Sequence, residues 1–241
     1  MTVLDLAIRA LLPGRRGSEP RHQPGSTGER IMQQQYGTAQ RAGQFYGRQV
    51  TDELTPAMQE FIQRMEMAFI ATSDKSGECD CSFRAGPAGF IRILNYRTIA
   101  YPEYRGNGVM ASLGNMLHNP HVGIFLVDFT RDLIGLHVNG DARIVTPDQM
   151  AELDLDLPEP DNNGRRPVQW VVVRVTEAYV HCSKRIPYLV PQPRVGGGDS
   201  RRYRGTDYFG VTARRAAARQ AAAGPPAAPP VPEKTGAAPG R

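Results

Sequence analysis

The spacing of apolar residues changes along this chain, and each change marks a different kind of element. In "TPAMQEFIQRME" Met58, Phe61, Ile62 and Met65 recur on one helical face, Thr55 is placed to cap the N-terminus, and Pro56 suits the first helical position. Beyond it the period falls to two. "MAFIATS" and "CDCSFRA" are separated by the turn "DKSGE"; the break "GPAG" leads to "FIRIL", and "NYR" divides that from "TIAYP". After a polar loop and a short helical stretch come "HVGIFLVDF", the turn "TRD", "LIGLHVNGDARIV" and, later, the β-branched run "VQWVVVRVTEAYVHC". Strands joined by turns this short pair antiparallel, and a sheet of about six or more of them is expected to curl into a closed barrel. No βαβ alternation is visible, so a dinucleotide-binding domain is not expected.

The flanks lose this patterning. Residues 13–30, "PGRRGSEPRHQPGSTGER", read as a disordered lead-in, and Ile31 to Val50 read as weakly helical, interrupted by Gly37, Gly43 and Gly47. "RVGGGDS" at 194–200 reads as a flexible joint. From Ala213 onward 29 residues hold 11 Ala, 6 Pro and 3 Gly, a composition that cannot bury a core and predicts disorder. These shifts divide the chain into a lead-in at 1–30, one domain at 31–190 and a flexible basic tail at 191–241.

Charge changes the picture only once it is mapped. The formal charge of +5 suggests nucleic acid at first sight. Residues 201–241, however, hold eight Lys/Arg against two Asp/Glu, so the remainder is slightly acidic and presents no basic surface. A nucleic-acid partner is therefore not expected beyond non-specific contact with the tail. Cys79, Cys81 and Cys182 form no even disulfide framework, which fits a reducing cytoplasm. "MTVLDLAIRALLPG" carries Asp5 and Arg9 inside its apolar run and does not read as a signal peptide, and no stretch is long and apolar enough for a membrane span.

The candidate chemistry centres on "YPEYRGNGVMASLGN". An arginine and two glycines stand at the mouth of a helix, where unpartnered N–H groups and the positive end of the macrodipole favour an anion. Gly106 and Gly108 allow close backbone approach, Asn107 can cap, Arg105 can fork an oxyanion, and Ser112 adds a hydroxyl. An ordinary glycine turn capping a helix is the competing reading. Strand alternation places Ser82 and Arg84 on one face, where Arg84 either pairs with a carboxylate such as Asp80 or reaches the same anion. His118 and His121 flank Asn119-Pro120, which ends the helix between them, so no metal pair is read there. His137 and Asn139 share a strand face, and Trp170 reads as core or interface. No Ser-His-Asp triad, P-loop or carboxylate pair is visible.

Three pieces together, the "FIATSDKSGECDCSFRAG" hairpin, the "IAYPEYRGNG" strand and loop, and "LGNMLHNPHVGIFL", resemble the pyridoxamine 5'-phosphate oxidase-like, FMN-binding split-barrel superfamily over residues 55 to 185. The resemblance implies a mainly β fold, a split β-barrel with flanking helices, and a homodimer holding FMN at the subunit interface. It assigns cofactor contacts to Ser82, Arg84, Ala100, Tyr101, Arg105, Asn107, Gly108 and Ser112. It adds Lys184, because the C-terminal segment in this superfamily closes the partner's pocket. Where the true oxidases carry an Arg-Lys pair at the phosphate helix, this chain has Ala111 and Ser112, and the oxidases' substrate-binding arginine and histidine have no clear counterpart.

The resemblance thus implies a flavin-dependent oxidoreductase for a small molecule, but not a pyridoxamine phosphate oxidase. FMN is the expected cofactor and a deazaflavin the alternative, with the cofactor supplying the chemistry. The competing class is a non-catalytic carrier of flavin, deazaflavin or haem on the same barrel.

Overall fold

Among the described residues seven strands form one sheet in the order β2-β1-β5-β6-β7-β4-β3, and every pairing is antiparallel. The strands are β1 (Met67–Ser73), β2 (Cys79–Ala85), β3 (Arg92–Asn95), β4 (Thr98–Glu103), β5 (His121–Val127), β6 (Gly135–Val145) and β7 (Gln169–His181). The helices are α1 (Thr27–Gln35), α2 (Ala39–Gln49), α3 (Pro56–Arg64), α4 (Ala111–His118), α5 (Pro147–Ala151) and α6 (Val211–Ala223). This computed structural model describes residues 7–8, 24–153, 166–192 and 209–223. It divides into two units, Met1–Val190, which holds the sheet, and Pro191–Arg241.

β2 and β4 stand near opposite ends of the sheet order, yet Arg84 of β2 lies 2.7 Å from Glu103 of β4. The sheet therefore curls until its ends approach. Among the described residues no ladder joins β2 to β3, so the barrel is split rather than closed as the turn lengths alone suggested. The alternation in β7 shows what holds it. Val171, Val173 and Val175 enter the main core with Ile62, Ile70, Ile124, Leu126 and Val138, whereas Trp170 and Val172 face a second cluster with Leu94, Ala100, Val145, Met150 and Leu153. A strand buried on both faces must be apolar in consecutive positions, which is why β7 reads "VQWVVV". Gly140 sits where β6 and β7 shift register, and a Cβ there would lie 2.2 Å from the Arg174 carbonyl oxygen, so only glycine fits.

Helix starts follow the sequence. The Thr55 hydroxyl accepts from the Met58 N–H with Pro56 in the first turn of α3, and Ser26 with Glu29 forms a capping box on α1. The weakly helical stretch from Ile31 to Val50 is two helices, broken at Gly37 with φ of +64°. Arg64 of α3 donates to buried Asp128 at 2.6 Å, whose carboxylate also accepts from the Thr130, Arg131 and Asp132 N–H groups. Burial pushes that carboxyl up, but the four donors outweigh it and hold Asp128 well below the usual range.

Three expectations need correction. α1 begins at Thr27, and helical Ile8 is only 3% exposed in the second cluster, so parts of the expected disordered lead-in are ordered. Ile8 shares a cluster with Trp170 and gains its stabilisation from apolar burial, with Ala7 packed beside it. The tail is helical from Val211 to Ala223, because Ala, Arg and Gln are strong helix formers and need no core. β3 is shorter than "FIRIL": Phe90 and Ile91 are buried, but pairing starts at Arg92. The joint expected at 194–200, most of the lead-in and the end of the tail lie outside the described residues. Among the described residues no helix is long and apolar enough to cross a membrane.

Candidate functional site

A cavity of about 540 Å³ opens between β2, the end of β4 and the loop leading into α4. Asp80, Ser82 and Arg84 reach it from alternate positions of β2, with Phe83 and Ala85 completing that edge of the lining, while Cys79 and Cys81 stay outside it. The far wall is Arg105, Gly106, Asn107 and Gly108, followed by Ser112 in the first turn of α4. Asn115 donates to Thr72 at 3.0 Å and Asn119 to Ser73 at 2.9 Å, which fixes α4 against β1.

The loop conformation prepares the helix mouth. Gly108 has φ of +83° and Met110 φ of 56°, both left-handed. For Met110 that conformation costs about 1–2 kcal/mol, which the surrounding structure must offset. No side chain caps α4. Asn107, expected as the cap, instead accepts the Val109 N–H at 3.0 Å and stiffens the loop.

Two hydrogen-bonded groups fill the wall opposite. The hydroxyls of Ser82 and Ser112 lie 2.6 Å apart and both contact Asp80, at 2.8 and 2.9 Å. Arg84 is held by Glu103 rather than by Asp80: Nε donates at 2.9 Å and Nη2 at 2.7 Å, both to Oε1. Nη1 donates to the Phe83 carbonyl, and Nη2 lies 3.4 Å from Ser112. Glu103 is 5% exposed, and burial pushes its carboxyl above the usual range against the opposing pull of Arg84.

Six of the residues expected from sequence, Ser82, Arg84, Arg105, Asn107, Gly108 and Ser112, line this one cavity. Three do not. Ala100 is buried in the second cluster, Tyr101 faces the main core on the opposite side of β4, and Lys184 is exposed beyond β7, away from the cavity of its own chain. β4 is buried along its whole length; Glu103 at its end lines the cavity, while Ala100 and Tyr101 turn into the two cores. The Tyr101 hydroxyl is buried without a partner among the described residues, and burial first, then the Glu103 carboxylate, pushes its ionisation far up. Glu103 and Asp80 were missed as cavity residues. The carboxylate inside the otherwise apolar run of β4 was the available signal.

A curled antiparallel barrel left open along one seam, with an arginine-lined cavity at that seam, is the architecture of a split-barrel protein. The sequence matches the family model described as Pyridoxamine 5'-phosphate oxidase over residues 54–182, more than half of the chain, and the chain belongs to that family. Among curated proteins none matches it. Among solved structures, a HupZ variant of Group A Streptococcus is similar at 19% identity and a TM-score of 0.39, covering 53% of this chain and 99% of its own. HutZ, the haem storage protein of Vibrio cholerae, is 18% identical with a TM-score of 0.36, covering 53% of this chain and 93% of its own. An FMN-binding protein of Syntrophomonas wolfei is 10% identical with a TM-score of 0.37, covering 51% and 86%.

Proposed function

We propose that this protein is a flavin-dependent oxidoreductase acting on a small molecule, and that the cavity between β2 and α4 seats the cofactor phosphate. The observation that carries the reading is the convergence of Arg84, Arg105, two serine hydroxyls and an uncapped helix mouth on one cavity. Its volume, about 540 Å³, is within the usual range of small-molecule sites. Bound flavin supplies hydride chemistry. The chain's own part is to grip the phosphate with Arg84 and Arg105, to offer loop and helix N–H groups at close range, and to hold Ser82 and Ser112 as further donors. FMN is the cofactor proposed, with a deazaflavin as the alternative.

The absorption spectrum of the purified protein tests the cofactor, and reduction by a nicotinamide donor tests the activity. Flavin or deazaflavin bands with substrate-dependent turnover are expected. Bound cofactor without turnover by any donor would make the protein a carrier, and haem bands would overturn the flavin reading. Three free, exposed cysteines support a reducing compartment such as the cytoplasm.

We also propose a homodimer formed through the outer face of the sheet. Phe83, Phe69, Phe125, His137 and Tyr179 stand in direct register across five adjacent strands. His137 is stacked at 4.4 Å on Phe125 and at 4.7 Å on Tyr179. Phe83, at the end of this row, is 54% exposed, and a continuous aromatic row at a surface marks an interface. The interface is expected to bury about 2,000 Å² or more. Phe69→Glu should give a monomer by sedimentation, whereas a monomeric wild type with cofactor bound would rule the dimer out.

A further inference from the structure

The cavity is charge-balanced before any ligand arrives. Arg84 and Arg105 share its lining with Asp80 and Glu103. A guanidinium can fork an oxyanion through its Nε–Nη2 edge or its Nη1–Nη2 edge. On Arg84 Nε and Nη2 both donate to Glu103 and Nη1 donates to the Phe83 carbonyl, so each edge already has donors engaged. An incoming phosphate therefore competes with a resident carboxylate for the donors of Arg84.

We propose that Glu103 is the specificity-determining competitor of this site: it occupies Arg84 in the empty cavity, yields it to a phosphate, and takes up a proton as the phosphate binds. This inference rests on the phosphate reading above. Charged and titratable groups face Glu103 from β2, from the loop and along its own strand. On the β2 side stand Arg84 and Asp80, whose carboxylate accepts from the Ser82 and Ser112 hydroxyls. On its own strand stands the buried hydroxyl of Tyr101, already protonated, and the loop offers Arg105. Burial raises the Glu103 carboxyl even while Arg84 opposes it, and a bound phosphate would raise it further by like-charge repulsion.

A group whose ionisation is pushed up on binding takes up a proton there, so affinity rises as pH falls between its bound and free values and levels off below the free value. The phosphate's own second ionisation, near pH 6, affects every variant alike and cancels in comparison.

The test titrates FMN and riboflavin into the full chain, wild type and Glu103→Gln, from about pH 5.5 to about pH 8.5, with melting curves as a check on folding. Glu103→Gln should bind FMN about ten-fold tighter at the alkaline end and converge with wild type at the acid end, with riboflavin unchanged. Calorimetry of wild type and Glu103→Gln in buffers of different ionisation enthalpy should show more proton uptake with FMN in wild type than in the variant, a difference free of the phosphate's own ionisation, and none with riboflavin. Phosphate-dependent binding with equal proton uptake in the two and parallel pH profiles would overturn the proposal while leaving the phosphate seat intact. Equal binding of FMN and riboflavin to wild type would overturn the seat and the proposal together.

Discussion

Trp170→Ala should lower the free energy of unfolding by about 3–5 kcal/mol, the usual cost of deleting a buried tryptophan ring. The residue is 2% exposed and packs with Leu94, Val145, Met150 and Leu153 on the face of β7 away from the main core. Those partners come from β3, β6 and the segment at α5, and strands held by their own pairings relax only partly into the space the ring leaves. Ile8 belongs to the same cluster, so Ile8→Ala should cost about 2–5 kcal/mol as well. The two effects should fall short of additive, because both variants open one cavity. Urea unfolding at fixed protein concentration measures this; the concentration must be matched because a dimer's stability depends on it. A loss below about 1 kcal/mol for Trp170→Ala would mean that this second cluster is not a structural unit.

That cluster also marks a limit of reading the chain one segment at a time. The first two strands are legible because they alternate on a period of two: β1 and β2 coincide with "MAFIATS" and "CDCSFRA". Thr55 and Pro56 announced α3 through cap chemistry that acts within one turn. Ile8 could not be found that way, since its partners, from Leu94 to Val172, lie far along the chain. The helix from Val211 was obscured differently: an alanine-rich composition was judged by its inability to bury a core, although local propensity alone forms the helix.

The candidate site divides along the same line. Alternation on β2 placed Ser82 and Arg84 together, and the glycines and arginine of the loop marked the helix mouth, all local signals. The partner of Arg84 was not local. Asp80 is its neighbour on one strand face, but the pair forms with Glu103, brought across by the curl of a sheet in which β2 and β4 are far apart. Ala100 and Tyr101 were assigned by resemblance to contact cofactor, whereas β4 is buried on both faces and turns them into the two cores.

Arg84→Ala should weaken FMN binding by about ten- to a hundred-fold, because a charge-assisted hydrogen bond contributes roughly 1.5–3 kcal/mol. Riboflavin, without the phosphate, should bind weakly to wild type and respond little. The substitution has a second consequence that a single variant cannot separate. It strands Glu103, 5% exposed, without its counter-charge, so stability should fall by about 1–3 kcal/mol near neutral pH. The loss should be smaller than for a fully buried pair, since the Arg84 side chain is 21% exposed. A stranded carboxylate would also repel the phosphate by itself. The double variant Arg84→Ala/Glu103→Gln resolves the two effects. It should regain most of the melting temperature, because no buried charge is left alone, yet still bind FMN at least ten-fold more weakly than Glu103→Gln. Full recovery of FMN affinity in the double variant would show that Arg84 acts only by neutralising Glu103, and equal losses for FMN and riboflavin in Arg84→Ala would show that it only holds the fold.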